Sequence, residues 1–453
     1  MGKANKKKGL EKATSLEGVY KALSQKPLEI DELEEFYQKT DKARGERVRS
    51  RLSLVLKQNT DSYQHTLFVG YRGCGKSTEL RHLTKDIQDD FLVLDFSIKN
   101  DLDPSNFNYI QLIILTMKKL FVLIDEKALG LEESYLSLIT NFIKTKEVSE
   151  IRDKYMSADL KAGTEVKIDI PFITKFFTGL TATMRATKSF KTVLKEKIEP
   201  HFSTLLDRCN ELIAQVKLKL DVLDKEDLLI IIEDLDKVHP SQAEELFFNY
   251  SNQITALQCN VIYTFPIALK YHDRFTAIKN CYSNTYELPM IKVNEKDGSS
   301  CEEGVDTMKS ILEARMELSL FEEEQILDFF IHYSGGCLRD LFMLVSEAAI
   351  NALLEERSTI IEEDKLYAFH KLKKDYKSSI ADALDANGKV DIPVATYYKV
   401  LSKLDKSKTK IIDNTREELN LRQNLSILSY NGTGWCDVHP IVKEILKERG
   451  EGS

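Results

Sequence analysis

The sequence predicts an α/β fold in which a parallel sheet of five strands is interrupted by a large helical insertion and followed by an all-α unit and a winged helix. Three observations predict it. Short apolar runs alternate with helical patterns, which argues for parallel strands joined by crossover helices. The run Thr66-Leu67-Phe68-Val69 feeds directly into GYRGCGKSTELRHL, residues 70–83, a glycine-rich turn between a strand and a helix. Near the end, alternating apolar segments flank Asn431-Gly432-Thr433-Gly434, whose residues supply the positive φ of a hairpin turn.

In chain order, residues 1–27 open with the lysine-rich MGKANKKKGLEK and read as a basic, flexible tail. Residues 28–57 carry apolar positions at helical spacing and lead into the first strand. The other strand candidates are 91–97 (FLVLDFS), 228–232 (LLIII), 260–265 (NVIYTF) and 285–290 (TYELPM). A crossover needs only about a dozen residues or more, so 98–227 must be a helical insertion within a core spanning 28–294. Inside it, 185–220 reads as one long amphipathic helix or a pair, with Arg185, Lys188, Lys191, Lys195 and Lys197 against Glu196 alone. After the polar break EKDGSS, residues 295–385 read as a helical lid of four or five helices. Gly388 and Pro393 punctuate the start of the last unit, 386–453, read as the winged helix with Trp435 anchoring its wing.

Composition excludes little but bounds much. With 453 residues, 42% hydrophobic and 30% charged, the chain is long enough for two to four folded domains and too apolar for wholesale disorder. The net charge of −8 does not advertise a nucleic-acid binder. Seven scattered cysteines without a C-x-x-C pair argue against a disulfide framework or zinc knuckle and for a reducing cytoplasm. No apolar window approaches the length of a membrane span, so no membrane partner is expected.

Chemistry concentrates at the glycine turn. Gly70, Gly75, Lys76 and Ser77 match G-x-x-x-x-G-K-[ST], the P-loop signature of nucleoside triphosphatases. The backbone of Gly70, Tyr71, Arg72, Gly73, Cys74 and Gly75, with Thr78 beyond, would cradle phosphates, Lys76 would neutralise their oxygens, and Ser77 would ligate Mg²⁺. Cys74 reads as a small filler. Hydrolysis also needs acids at a neighbouring strand tip, and LLIIIEDLDK, residues 228–237, supplies Glu233 and Asp234 as metal-holding and water-polarising candidates, with Asp236 within reach. The usual order is Asp before Glu or Asp; here the longer arm comes first, and one methylene of misplacement can cost a large factor in rate.

Four further positions complete the expectation. Thr264 ends the fourth strand, facing the γ-phosphate or bonded to backbone; Arg274 is either an arginine finger for a neighbouring subunit or a surface arginine. Arg339 in YSGGCLRDLF sits in the first turn of a helix after Gly335-Gly336, where it can read the γ-phosphate. Arg44, in FYQKTDKARG, is a base-side candidate.

Together GYRGCGKST, IIIEDLD, Thr264 and SGGCLRD resemble the AAA+ and STAND branch of P-loop ATPases, and core, lid and winged helix in that order are similar to initiator-like AAA+ proteins and bacterial STAND ATPases. The resemblance implies ATP and Mg²⁺ as cofactors, oligomerisation and nucleotide-gated control of a partner. No effector signature is visible, so the first reading is an ATP-hydrolysing switch serving bacterial, antiviral defence with a separate effector protein. The alternative is a DNA-binding initiator or loader using its winged helix, with Arg416 and Arg422 on the recognition helix beside Glu417 and Glu418. A small-molecule kinase would need an arginine-rich lid, and no guanine signature follows the acid strand, so ATP is expected over GTP.

Overall fold

The computed structural model describes residues 9–59, 62–143, 145, 153–154, 170–186, 190–385, 387–430 and 434–452. Its centre is a five-stranded parallel sheet in the order β2-β3-β4-β1-β5, with β1 His65–Gly70, β2 Phe91–Ser97, β3 Asp227–Glu233, β4 Asn260–Phe265 and β5 Asn284–Leu288. Strand composition explains the order. The continuous apolar runs of β1, β3 and β4 are buried on both faces and take the interior, whereas β2 alternates buried and half-buried residues and β5 is half-buried over most of its length, as edges are.

His65 opens β1 in that core. Its ring lies against Tyr263 Oη at 3.2 Å and the Leu257 carbonyl at 3.0 Å. Burial pushes the imidazole down to about 4, because desolvation disfavours its charged form. The unfolded chain therefore binds the proton first, and stability is lost as pH falls from about 6.5 to 4, by up to about 3 kcal/mol. Urea unfolding at pH 7 and at pH 4.5 should show a smaller acid loss for His65→Gln than for the native chain; equal losses would refute this account.

The described part of the 98–227 insertion is mainly helical, built on Tyr109–Glu126, Ile170–Ala186 and Phe202–Leu218, with turns and coil over 98–108 and 127–132. Asn108 starts the first through a capping box with Gln111. Of the two readings of 185–220, one long helix or a pair, the structure has the pair: Ile170–Ala186 ends at its start, Phe190–Ile198 follows, and a turn at Pro200 precedes Phe202–Leu218. Its basic stretch is partly engaged. Arg185 donates to the Asn100 carbonyl, Lys191 pairs with Glu245 at 2.7 Å, and Lys195 lies over the Tyr250 ring, while Lys188 lies outside the described residues.

The lid comprises helices Glu302–Arg315, Glu324–Tyr333, Leu338–Leu354 and Glu362–Ser379. The last unit adds a short hairpin (β6 Ala383–Leu384, β7 Val390–Ile392), helices Val394–Lys406 and Arg416–Gln423, a second hairpin (β8 Ile427–Tyr430, β9 Trp435–Val438) and helix Pro440–Glu448. Residues 431–433 of the expected Asn-Gly turn lie outside the described residues; Trp435 is buried with its ring 4.8 Å from that of Tyr430.

Lid and last unit share one hydrophobic core, and the chain's beginning joins it. The expectation of a free tail over 1–27 fails for residues 13–23: Ala13, Leu16, Val19, Ala22 and Leu23 are buried against the lid. The apolar spacing of LEGVYKAL at i, i+3, i+6 and i+7 gives helix Leu16–Ala22 a face to bury. Residues 1–8 of that tail lie outside the described residues.

Candidate active site

Gly73 (φ +81°) and Gly75 (φ +100°) hold the left-handed conformations that let the loop after β1 curl before helix Lys76–Ile87. The loop is pressed against the lid. A Cβ on Gly73 would stand 2.5 Å from Arg339 Cβ, and Arg339 N donates to the Gly73 carbonyl at 3.3 Å. Cys74 is buried beside Gly70 as a filler.

Lys76 Nζ donates to the Gly70 and Tyr71 carbonyls, both at 2.8 Å, and forms an ion pair with Asp236 Oδ2 at 2.9 Å. Burial works against its charge, but the Asp236 carboxylate more than offsets this and the ammonium is held above its ordinary range. Arg44 is fully buried, donating to Cys74 O at 2.6 Å, to Thr40 Oγ1 at 2.8 Å and to the Pro289 carbonyl. It borders the cavity, yet its guanidinium is spent bracing the loop from behind, which corrects its assignment to the base.

The acids divide. Glu233 is buried, accepts a hydrogen bond from the Ser77 hydroxyl, and is raised by burial against that bond and Arg81. Asp95, on neighbouring β2, is pushed up to about 7 by burial and then by Glu233, and its Oδ1 has no partner. Asp234 takes a left-handed turn at φ +69° and is bound by Ser97 Oγ and Lys237 Nζ; burial acts to raise it, and these partners pull it lower instead. The expected metal group of Ser77, Glu233 and Asp234 is therefore only partly assembled: Ser77 meets Glu233, while Asp234 is turned to Ser97. Hydroxyl and carboxylate oxygens such as those of Ser77 and Glu233 suit a hard divalent cation completed by phosphate and water oxygens. Among the described residues no cluster of three or more His, Cys, Asp or Glu is arranged to hold a metal by itself.

Thr264 borders the cavity, but its hydroxyl accepts from Leu235 N at 3.1 Å and donates to the Ile232 carbonyl at 3.3 Å, so it braces the acid turn. Because β4 lies between β1 and β3, this brace fixes the gap between loop and acids. Arg274 is exposed, donates to Asn249 Oδ1 at 2.7 Å and lies over the Phe248 ring, outside the cavity walls.

The cavity lies between core and lid, is open to solvent and has a volume of about 150 Å³. Its wall includes Arg72, Gly73, Gly75, Lys76, Ser77, Thr78 and Asp236, with Arg339 entering from the lid. It also includes the apolar Pro27, Leu28 and Phe36 and, from the lid, Ile311, Leu338 and Phe342, with Arg315 against the Phe342 ring. Sequence reasoning missed this apolar part of the wall, since 23–28 crosses from lid to core and lines the cavity only in three dimensions.

It also missed the role of the Tyr71 side chain, since only the backbone of Tyr71 was assigned to the nucleotide. The ring is buried and turned away: its hydroxyl meets Ser429 Oγ at 2.9 Å and accepts from Arg422 Nη1 at 3.1 Å. Arg422 is buried too, bonded to Ser429 and Cys436 and lying 4.0 Å over the Tyr271 ring, so it is not on a DNA-reading surface. Arg416 is exposed and paired with Asp391 at 2.6 Å.

No protein-family model and no curated protein matches the sequence. Several solved structures are similar in fold. They include the Walker-type ATPase PABY2304 of Pyrococcus abyssi (13% identity, TM-score 0.41, covering 88% of this chain and 95% of that one) and Cdc6p from Pyrobaculum aerophilum (10%, 0.38, 88% and 93%). A third is the Aeropyrum pernix ORC1 protein in complex with DNA (10%, 0.36, 91% and 94%). Likenesses this distant concern the broad order of layers and carry no argument about substrates. Among the described residues no helix is long and apolar enough to cross a membrane.

Proposed function

We propose that the chain is a P-loop ATPase of the AAA+ type, in which a nucleotide bound between core and lid controls how the two are held together. One observation carries this reading: Lys76, Ser77 and Arg339 line one cavity whose wall also carries a group of apolar side chains, the mixture that a triphosphate joined to a flat base requires. Ser77 and Glu233 would hold Mg²⁺, which neutralises phosphate charge when bound. Arg339 would approach the terminal phosphate from the lid helix, so that losing that phosphate loosens the contact across the cavity. Asp234 must leave Ser97 and Lys237 to reach a water, which favours slow, gated turnover.

The test is ATP binding and turnover with Mg²⁺ by the native chain, Glu233→Gln and Asp234→Ala, with mass in solution measured under ATP and ADP. The native chain should bind and turn over ATP, and each variant should bind while losing about a hundredfold in rate. Absence of binding at millimolar ATP sinks the reading.

The second reading is an initiator- or loader-type ATPase acting on DNA. This reading, like a defence role with a separate effector, rests on the motif resemblance; one protein of similar fold, ORC1, is solved in complex with DNA. Against a conventional winged-helix contact stands the burial of Arg422. Duplex retention that falls steeply with salt supports the DNA reading, and no retention at low salt removes it.

A further inference from the structure

Beside apolar side chains of the cavity wall stands a cation without a counterion among the described residues. Arg315 ends lid helix Glu302–Arg315, is 6% exposed, and borders the cavity beside Ile311, Leu338 and Phe342. Its Nη1 donates to the Ala22 carbonyl at 3.1 Å, its plane lies 4.8 Å over the Phe342 ring, and its Nε has no partner. No carboxylate pairs with it among the described residues. Burial pushes it down to about 10, with Glu32 opposing weakly. Arg44, also in the cavity wall, makes three hydrogen bonds to the loop's surroundings; outside the wall, Arg422 makes three and lies over a tyrosine, its Nε being without a partner as well.

A buried guanidinium with five donors and one carbonyl acceptor is costly to keep. Packing does not explain it, since a leucine or methionine would fill the same apolar corner without the desolvation cost. The strap carbonyl of Ala22 accounts for one N–H only. The phosphate loop already has Lys76 and Arg339 beside it. The apolar side chains around Arg315 suit the flat ring of a base, whose edge carries hydrogen-bond acceptors between apolar faces.

We propose that Arg315 is a specificity-determining residue that donates a hydrogen bond to an acceptor nitrogen on the purine ring of the bound nucleotide. This rests on the ATP reading above. It makes the base a link between lid and core: the ring seated against Pro27 and Leu28 would be gripped by the same arginine that holds the strap's beginning at Ala22. Discrimination between nucleotides would then depend on lid closure.

The probes are ATP and its 1-deaza, 3-deaza and 7-deaza analogues, each lacking one ring acceptor, bound to the full chain and to Arg315→Met and Arg315→Lys. A charged donor's hydrogen bond is worth about tenfold or more in affinity. One analogue should bind the native chain about tenfold more weakly than ATP, and that penalty should shrink to within about twofold in Arg315→Met. If Arg315→Met does not fold, Arg315→Lys, which can still reach Ala22, should reduce the same penalty and leave the other analogues unchanged. Penalties identical in native chain and variants overturn the inference and leave the ATP reading standing. So does equal weakening of ATP, ADP and all analogues with AMP unaffected, which would assign Arg315 to phosphate. A native chain that binds no ATP overturns both.

Discussion

Lys76→Met is expected to lower ATP turnover by about a hundredfold or more, since it removes the one ammonium fixed at the mouth of the phosphate loop. The Gly70 and Tyr71 carbonyls aim Nζ into the cavity, so the charge is preorganised before any ligand arrives. The same substitution should damage the protein without nucleotide. Asp236 is Lys76's counterion, with 3% side-chain exposure, and deleting one partner of a buried pair costs about 3–5 kcal/mol. The two effects separate in Lys76→Met with Asp236→Leu, which removes both charges. That double variant should recover most of the lost stability in urea titrations and none of the turnover. Recovery of turnover, or turnover by Lys76→Met at the native rate, would overturn the assignment of Lys76. The pair also implies that phosphate must compete with Asp236 for Lys76, so Asp236→Asn should unfold earlier when empty and gain more from saturating ATP than the native chain does.

How far the sequence could be read follows from which features are local. The glycine loop, its strand and its helix are contiguous, so spacing alone located Lys76 and Ser77, and the apolar runs marked the five strands without giving their order in the sheet. The acid strand was legible too, but not the direction of its side chains: the left-handed turn at Asp234, which aims it at Ser97 on another strand, leaves no mark beyond the inverted Glu-Asp order. Arg422 looked like a recognition-helix arginine because a charged residue on a polar helix is normally solvated; only the tertiary arrangement brings Tyr71, Ser429 and Tyr271 around it. Arg315 and the 13–23 segment were hidden for the same reason, their partners lying about 290 residues away in sequence.

Arg422→Ala should have the second large effect, and its consequences bear on how the nucleotide loop communicates. Tyr71 is held from both sides: its carbonyl accepts from Lys76, and its hydroxyl accepts from Arg422 beside Ser429 of β8. Met290 N, just past β5, donates to the Ser429 carbonyl at 3.3 Å, so the last unit is stitched to the sheet next to the loop. Removing Arg422 takes away three side-chain bonds and the stack on Tyr271, leaves a cavity, and strips Tyr71 of its charged donor; together this should cost about 3 kcal/mol. Tyr71→Phe deletes only the hydroxyl, leaving Arg422 bonded to Ser429 and Cys436, and should cost about 1 kcal/mol. Because the cluster is dry, neither loss should vary with salt, unlike that of an exposed ion pair. If Arg422 joins loop to last unit, its alanine variant should also expose residues 386–453 to limited proteolysis in the absence of nucleotide, with protection partly restored by ATP. Unchanged protection in a variant shown to be destabilised would mean that the cluster stabilises the fold without linking the nucleotide loop to the last unit.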